Sequence, residues 1–286
     1  FYDEKGSKLF DMISELKEYY PTRTEIEIIE SQKYSFKNNL PSNASIIEFG
    51  SGSNKKIKKL LNALNNPKEY ISIDISYDFL LDNAKEIAKK YPNLSVKAIC
   101  ADLYQFGSIS KIVNGNSHRI GFFPGSTIGN FSENDAKKLL IGFKKILGTD
   151  SFLIIGVDLR KDKKIMEQAY NDSKGITAKF NKNILNGINN KIGSKFDVRN
   201  FEHKAYFNEE KKRIEMHLIS RQNQNISLKD YDLKIQKGES IHTENSHKYT
   251  AEEFEELTVS SGYKKIDFLT DQKKYFGIFF LKVIDN

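Results

Sequence analysis

The sequence predicts an α/β fold, a doubly wound parallel sheet carrying an inserted α+β lobe, and three observations lead to it. First, the apolar run Ile46-Ile47-Glu48-Phe49 breaks into the glycine-spaced turn Gly50-Ser51-Gly52 and gives way to a lysine- and leucine-rich helical segment, 55–64. Second, strand and helix patterns then alternate up to Asp158, which implies parallel strands with helices on both faces. Third, the period changes after Arg160 and returns to that of the sheet near residue 241.

The chain opens with Leu9, Phe10, Ile13 and Leu16 at helical spacing, ended by Tyr19-Tyr20-Pro21. Thr22 with Glu25 has the form of a capping box for a second helix carrying Ile26, Ile28 and Ile29, and Pro41-Ser42-Asn43 marks the boundary with the main domain. Two N-terminal helices are therefore expected over residues 1–43. Strand 1 (46–49) and the turn follow. Strand 2 ends at Asp74, and a helix over 76–90 starts from Ser76 as cap. Strand 3 (94–100) leads to Asp102-Leu103. Strand 4, from Arg119 to Phe123, runs into Pro124-Gly125-Ser126-Thr127-Ile128-Gly129-Asn130-Phe131. Ser132 caps a helix over 133–147, and strand 5 runs from Ser151 to Asp158. Gly50, Asp74, Asp102, Gly125 and Asp158 all fall at the carboxyl ends of strands, the rim on which a doubly wound sheet binds its ligand.

The insert, 160–240, reads as helices over 162–170 and 177–190 followed by alternating segments near 201–207, 212–221 and 226–235. It is expected to cover the crevice. Thr250 with Glu253 makes a capping box for a helix over 251–261, and 265–269 and 275–283 read as closing strands. Residues 44–159 and 241–286 are thus assigned to the main domain.

The 286 residues, 38% of them hydrophobic, suffice for a sizeable core, and no apolar run reaches the roughly 18 residues of a membrane span. No charged and then apolar leader opens the chain, so a cytoplasmic protein is expected, acting as a monomer. Cys100, the single cysteine, has no intrachain disulfide partner and reads as a buried strand residue. The net charge of +7 is spread over lysine clusters interleaved with acids, without a basic stripe alternating with aromatics, so no nucleic-acid partner is expected. Five histidines without partnering cysteines or an HExxH pattern give no metal-site signature.

The glycine turn alone is a weak signal, because Asn54 stands where a dinucleotide fingerprint has its third glycine. Asp74 strengthens it: it follows the next strand at about the 20-residue interval from which a carboxylate holds ribose hydroxyls. Asp102 after strand 3 adds an acceptor for an adenine amine, so a Rossmann-like nucleoside site for a ligand such as S-adenosylmethionine is indicated. At this point the chain resembles the histidine Nα-methyltransferases of ergothioneine biosynthesis. The shared segments are Tyr20-Pro21-Thr22-Arg23-Thr24-Glu25, Glu48-Phe49-Gly50-Ser51-Gly52, Phe122 to Phe131, Gly156-Val157-Asp158-Leu159, Ala169-Tyr170-Asn171-Asp172, Ile214-Glu215-Met216 and Ile241-His242-Thr243-Glu244-Asn245-Ser246.

That resemblance implies a class I methyltransferase fold and the conversion of L-histidine to its Nα-trimethyl betaine. It implies cofactor contacts from Tyr2 near the amino-acid end, Gly50 and Lys56 around the methionine portion, Asp74 on the ribose, and Asp102 with Leu103 at the adenine. On the substrate side it implies Asn130 and Tyr170 at the α-amino and carboxylate groups as catalytic residues, Tyr20, Glu244 and Ser246 as readers of the imidazole, and Met216 against the ring. Residue by residue, plainer readings stand beside these: a solvated Lys56 in a lysine cluster, a loop Asn130 tolerating left-handed φ, and core packing for Tyr170 and Met216. Glu215 and His217 alternate away from Met216 and are expected to face solvent. Three other functions compete. One is an Nα-methyltransferase for a tryptophan-like amino acid, against which Glu244 with Met216 argues. Another is a nucleic-acid methyltransferase, against which Phe123-Pro124-Gly125-Ser126 argues, where such enzymes carry Asp/Asn-Pro-Pro-aromatic. The last is a non-catalytic binding protein.

Overall fold

The computed structural model describes residues 3–113, 118–228 and 231–284. Its elements in chain order are α1 (Glu4–Ser14), α2 (Tyr20–Ser31), α3 (Lys33–Asn39), β1 (Ser45–Phe49), α4 (Lys55–Ala63), β2 (Glu69–Asp74), α5 (Tyr77–Lys90), β3 (Ser95–Cys100), α6 (Phe106–Ile112), β4 (Arg119–Phe123), α7 (Glu133–Leu147) and β5 (Phe152–Asp158). There follow α8 (Lys163–Gln168), α9 (Ile176–Ile192), β6 (Phe201–Asn208), β7 (Arg213–Ser220), β8 (Gln224–Ser227), β9 (Asp232–Ile235), β10 (Ser240–His247), α10 (Ala251–Val259), β11 (Tyr263–Thr270) and β12 (Phe276–Val283). Contacts divide the chain into two compact units, Phe1–Tyr20 with Lys161–His247, and Pro21–Arg160 with Lys248–Asn286.

The larger unit is built on one sheet in the order β11-β12-β5-β4-β1-β2-β3, parallel from β3 to β5 and antiparallel at β12 and β11. Because side chains alternate along a strand, each central strand feeds two cores. Ile47 and Phe49 of β1 point with Phe123, Ile155 and Phe279 into a cluster closed by α7 and α10, where Phe49 stacks on Phe143 at 3.9 Å. Ile46 points the other way, with Tyr70, Phe122 and Phe280, under Ile28 and Ile29 of α2, Phe36 of α3 and Leu60 of α4. Local signals set the helix ends: Ser132 accepts from the amide of Asp135 at the start of α7, and Thr250 and Glu253 form the expected capping box on α10.

The smaller unit has a three-stranded antiparallel sheet, β10-β7-β6, and a separate β8-β9 hairpin. Leu185 of α9 packs with Phe201, Leu218, Ile226 and Ile235 in its core. Helix α1 lies along α9, with Phe10 and Phe180 ring centroids 6.0 Å apart and Asn183 Nδ2 donating to Asp3 Oδ1 at 2.8 Å. Among the described residues no helix is long and apolar enough to cross a membrane.

Several expectations need correction. Three helices precede β1, the unexpected one being α3, whose Phe36 is fully buried. Contacts group α1 with α9, α2 and α3 with the large sheet, and residues 240–247 with the smaller unit, where they pair with β7. The segment at 226–235 is a hairpin, since β8 and β9 pair with each other. Thr22 and Glu25 form no capping box, because α2 begins at Tyr20 with Pro21 in its first turn. Ser76 makes no side-chain cap; its own amide donates to Asp74 Oδ1 at 2.8 Å. Cys100 is exposed, since β3 is an edge strand on which Ile99 alone is buried. Glu215 and His217 do alternate away from Met216, but they are 4% and 8% exposed. Arg213, Tyr206 and Asn208 all donate to the Glu215 carboxylate, and the rings of Tyr206 and His242 stack on either face of His217.

Glu48 is a buried acid in the middle of the large sheet, where Tyr70 donates its hydroxyl to Oε2 at 2.5 Å. Burial pushes its carboxyl up from 4.5 to about 8, against the pull of Tyr70 and Lys56 and with help from the negative Asp74 and Glu25. The folded state therefore keeps a proton that the unfolded chain releases from about pH 4.5 upward, and stability falls as pH rises through that window to 8. Glu48→Gln keeps the acceptor for Tyr70 and removes the titration. Thermal melts should show the variant gaining on the parent between pH 5 and pH 8; a constant difference in melting temperature would mean that Glu48 is already ionised at pH 5.

Candidate active site

In the larger unit, β4 and β2 flank β1, so the chain winds in opposite directions on its two sides and the loops after β1 and β4 open a crevice between them. The turn after β1 is tight. Gly50 has φ +72°, and the amides of Gly50 and Ser51 both donate to the Ile73 carbonyl, at 2.9 and 3.1 Å. A Cβ at Gly52 would meet nothing within 4 Å, and the Ser51 hydroxyl is buried without a hydrogen-bond partner. Asn54 occupies the cap position of α4 but donates its amide to Asn83 O and Glu86 Oε2, so the first amides of α4 receive no side-chain cap. An open glycine, an unsatisfied buried hydroxyl and uncapped helix amides together fit a polar ligand lying over this turn.

The acidic residues fall at the next two strand ends. Asp74 is half-buried, and burial lifts its carboxyl above the usual range against the stabilising Ser76 amide. Asp102 is exposed, with Oδ1 accepting from the Tyr104 amide at 2.9 Å, and the Leu103 side chain lies 4.0 Å from the position a Cβ on Gly50 would take. Gly50, Leu103 and the β1 turn therefore share one surface. Lys56, in the first turn of α4, reaches the β4 loop: its Nζ lies 2.7 Å from Glu25 Oε2 and 2.9 Å from where a Cβ on Gly125 would stand. That loop carries Ser126 at φ +58°, its hydroxyl accepting from the Asp158 amide at 2.9 Å, and ends in the 3-10 turn Thr127–Asn130 with Asn130 partly exposed.

Asp158 is no rim acid open to a ligand. It is 1% exposed and paired with the equally buried Lys248 at 2.6 Å.

In the smaller unit a second group of expected residues gathers on one face of the three-stranded sheet. Glu244 stands opposite Met216 and Ser246 opposite Ile214, so these four side chains share a face; the register shifts between His242 and Glu244. Tyr170 donates its hydroxyl to Ser246 Oγ at 2.8 Å, and both residues are buried. Tyr19 meets the Tyr170 ring edge-on at 6.2 Å, and the Tyr20 hydroxyl accepts from Lys161 Nζ at 2.6 Å.

A part-buried polar network holds this face. His203 Nε2 lies 2.8 Å from the Tyr170 carbonyl, so it carries the proton, and Nδ1 accepts from Asn181 Nδ2 at 2.9 Å. The Asn181 carbonyl in turn accepts from the Thr243 hydroxyl at 2.6 Å. Burial keeps the His203 imidazole below its usual range, despite the Tyr170 carbonyl.

Of the expected site residues, Tyr2 lies outside the described residues. Tyr20, Tyr170, Met216, Glu244 and Ser246 belong to the smaller unit, and Gly50, Lys56, Asp74, Asp102, Leu103 and Asn130 to the larger. Sequence reasoning missed Lys161, Asn181, His203 and Glu25. In the sequence His203 stands out only as a metal-ligand residue type, and Lys161 lies in a lysine run. Glu215, His217 and His242 do bring ligand-type atoms within 4.8 Å of one another. Both Glu215 oxygens, however, are taken by Arg213, Tyr206, Asn208 and His217. Burial opposes ionisation there, and these donors overcome it and bring the carboxyl down to about 2.

The histidine N-alpha-methyltransferase of Mycolicibacterium smegmatis is 33% identical over 284 residues, covering 97% of this chain and 87% of that protein. Ergothioneine biosynthesis protein 1 of Neurospora crassa is 29% identical over 96% of this chain, which corresponds to 32% of that longer protein. Among solved structures, an S-adenosylmethionine-dependent methyltransferase from Clostridium acetobutylicum shares the fold, with a TM-score of 0.51 at 11% identity over 98% of each chain. The family described as histidine-specific, SAM-dependent methyltransferase matches residues 1–283, and the chain belongs to that family.

Proposed function

We propose that this enzyme converts L-histidine to Nα,Nα,Nα-trimethylhistidine by successive methyl transfers to the α-amino nitrogen. The observation that carries the reading is the hydrogen bond from Tyr170 to Ser246 on the face that also holds Glu244 and Met216. An Oγ that accepts from Tyr170 turns its own proton toward another acceptor. A neutral imidazole offers one lone pair and one N–H, so Ser246 donates to the first and Glu244 accepts from the second. An indole has no such lone pair. A serine hydroxyl and a carboxylate placed for the two ring nitrogens gain less from an indole, which selects histidine over a tryptophan-like substrate. Met216 packs on the ring, and Tyr20, aligned by Lys161, completes the imidazole contacts.

S-adenosylmethionine supplies an electrophilic methyl group on a sulfonium. Around it the chain's residues bind and orient. The Gly50 turn lets backbone approach the ligand, and Ser51 offers the unsatisfied hydroxyl. Asp74 accepts from the ribose hydroxyls, Asp102 from the adenine amine, and Leu103 packs against the base. Lys56 faces the carboxylate of the methionine portion, and Tyr2 belongs to the same end. Asn130 and Tyr170 hold the amino acid's α-amino and carboxylate groups. Displacement by a neutral amine asks little proton transfer of the protein, so alignment and exclusion of water do most of the catalysis. No side chain is assigned as general base, and solvent takes the proton released. We further assign the enzyme as a monomer acting on a small molecule without nucleic acid.

Two measurements test the reading. In titration calorimetry with S-adenosylhomocysteine present, histidine should bind and tryptophan should not, and Glu244→Ala should weaken histidine by about 2–4 kcal/mol, roughly 30- to 1,000-fold. Tight tryptophan binding without histidine binding would end the histidine assignment. Asn130→Ala should lower turnover about 10- to 100-fold while leaving S-adenosylhomocysteine affinity intact. Parental turnover would make Asn130 a loop residue only, and mass spectrometry of the product counts the methyl groups added.

A further inference from the structure

Glu25 lies outside both sets of assigned residues, yet it is the least expected charge in the larger unit. Its side chain is 0% exposed, and it lies inside α2, away from the helix cap. Both carboxylate oxygens accept from the Gly125 amide, at 3.1 and 2.9 Å, and Oε2 also meets Lys56 Nζ at 2.7 Å. The backbone has made room for it. A Cβ on Gly156 in β5 would stand 2.1 Å from Glu25 Oε1, so the carboxylate fills the space a side chain would take. A Cβ on Gly125, already at φ +80°, would stand 2.9 Å from Lys56 Nζ. Two glycines, Gly156 in β5 and Gly125 in the loop after β4, thus leave room for one buried ion pair. An isolated carboxylate is costly to bury, and this one is kept by an ammonium and a peptide amide together.

We propose that Glu25 is a positioning residue for the methyl transfer. It fixes the Lys56 ammonium for the cofactor's carboxylate end and pins the turn at Gly125 from which the chain runs to Asn130. An ammonium carries three N–H donors; one is spent on Glu25, and this fixed bond aims the others. The inference rests on Lys56 binding the cofactor.

The test is a double-mutant cycle read as the Kd for S-adenosylhomocysteine by calorimetry, with thermal melts alongside. Glu25→Gln keeps an acceptor for the Gly125 amide and loses the ion pair. It should raise Kd about tenfold in the parent and change it less than about twofold in a Lys56→Met background. Equal losses in both backgrounds, or none in either, would overturn the inference. Lys56→Met alone separates the two readings. If it binds as tightly as the parent, the cofactor role of Lys56 falls and this inference with it; if it binds weakly while Glu25→Gln binds normally, only the role of Glu25 falls. Should Glu25→Gln not fold, Glu25→Asp is carried through the same cycle. A loss confined to the Lys56 background again supports the inference, and unchanged affinity overturns it.

Discussion

Between β1 and β4 the winding of the sheet reverses, and everything on the cofactor side depends on that reversal. Parallel strands on each side send their connections away from one another, so the loops after β1 and β4 are the pair left to face a ligand without helix crossovers between them. The consequence is visible in particular atoms. Lys56, which follows one strand, reaches Gly125, which follows the other, and the Glu25 carboxylate joins them. Asp74 and Asp102 then fall at successive strand ends on the β2 and β3 side of β1.

Buried charge is the main expense of this unit, and the chain handles its acids differently. Glu25 is satisfied by an ammonium and an amide. Asp158 has a buried lysine partner, Lys248, and removing one member of such a pair costs about 3–5 kcal/mol because the other stays buried and uncompensated. Glu48 has a phenol donor, and burial raises its carboxyl until it holds its proton at neutral pH. Asp74 sits between these cases, half in solvent, with the Ser76 amide donating to it.

The smaller unit solves a different problem, holding a polar surface steady on a small sheet. Its apolar core of Leu185, Phe201, Leu218, Ile226 and Ile235 fixes the strands, and the Asn181–His203–Thr243 network then ties α9 to β6 and β10 and reaches the backbone of Tyr170. Each of those bonds is made by a side chain that a pattern-based reading treats as neutral. On the opposite face, Arg213, Glu215, His217 and His242 form a stacked, ion-paired ladder that packs away a carboxylate the alternation had pointed outward.

By itself the sequence determined what local physics governs. Unbroken apolar runs became the central strands, Ser132 and the Thr250–Glu253 pair set their helix starts, and the spacing from Gly50 to Asp74 and Asp102 put those residues at successive strand ends. Period-two alternation also placed Met216, Glu244 and Ser246 on one face, once β10 had paired with β7. Tertiary structure alone decided the partners. Glu25 left its local cap for a lysine 31 positions on and an amide 100 positions on, Cys100 was exposed by the edge position of β3, and residues 240–247 joined the smaller unit by pairing with β7. Helix and strand periods depend on neighbours along the chain, whereas a buried polar atom must take whatever partner the fold brings within about 3 Å, and that partner has no fixed sequence distance.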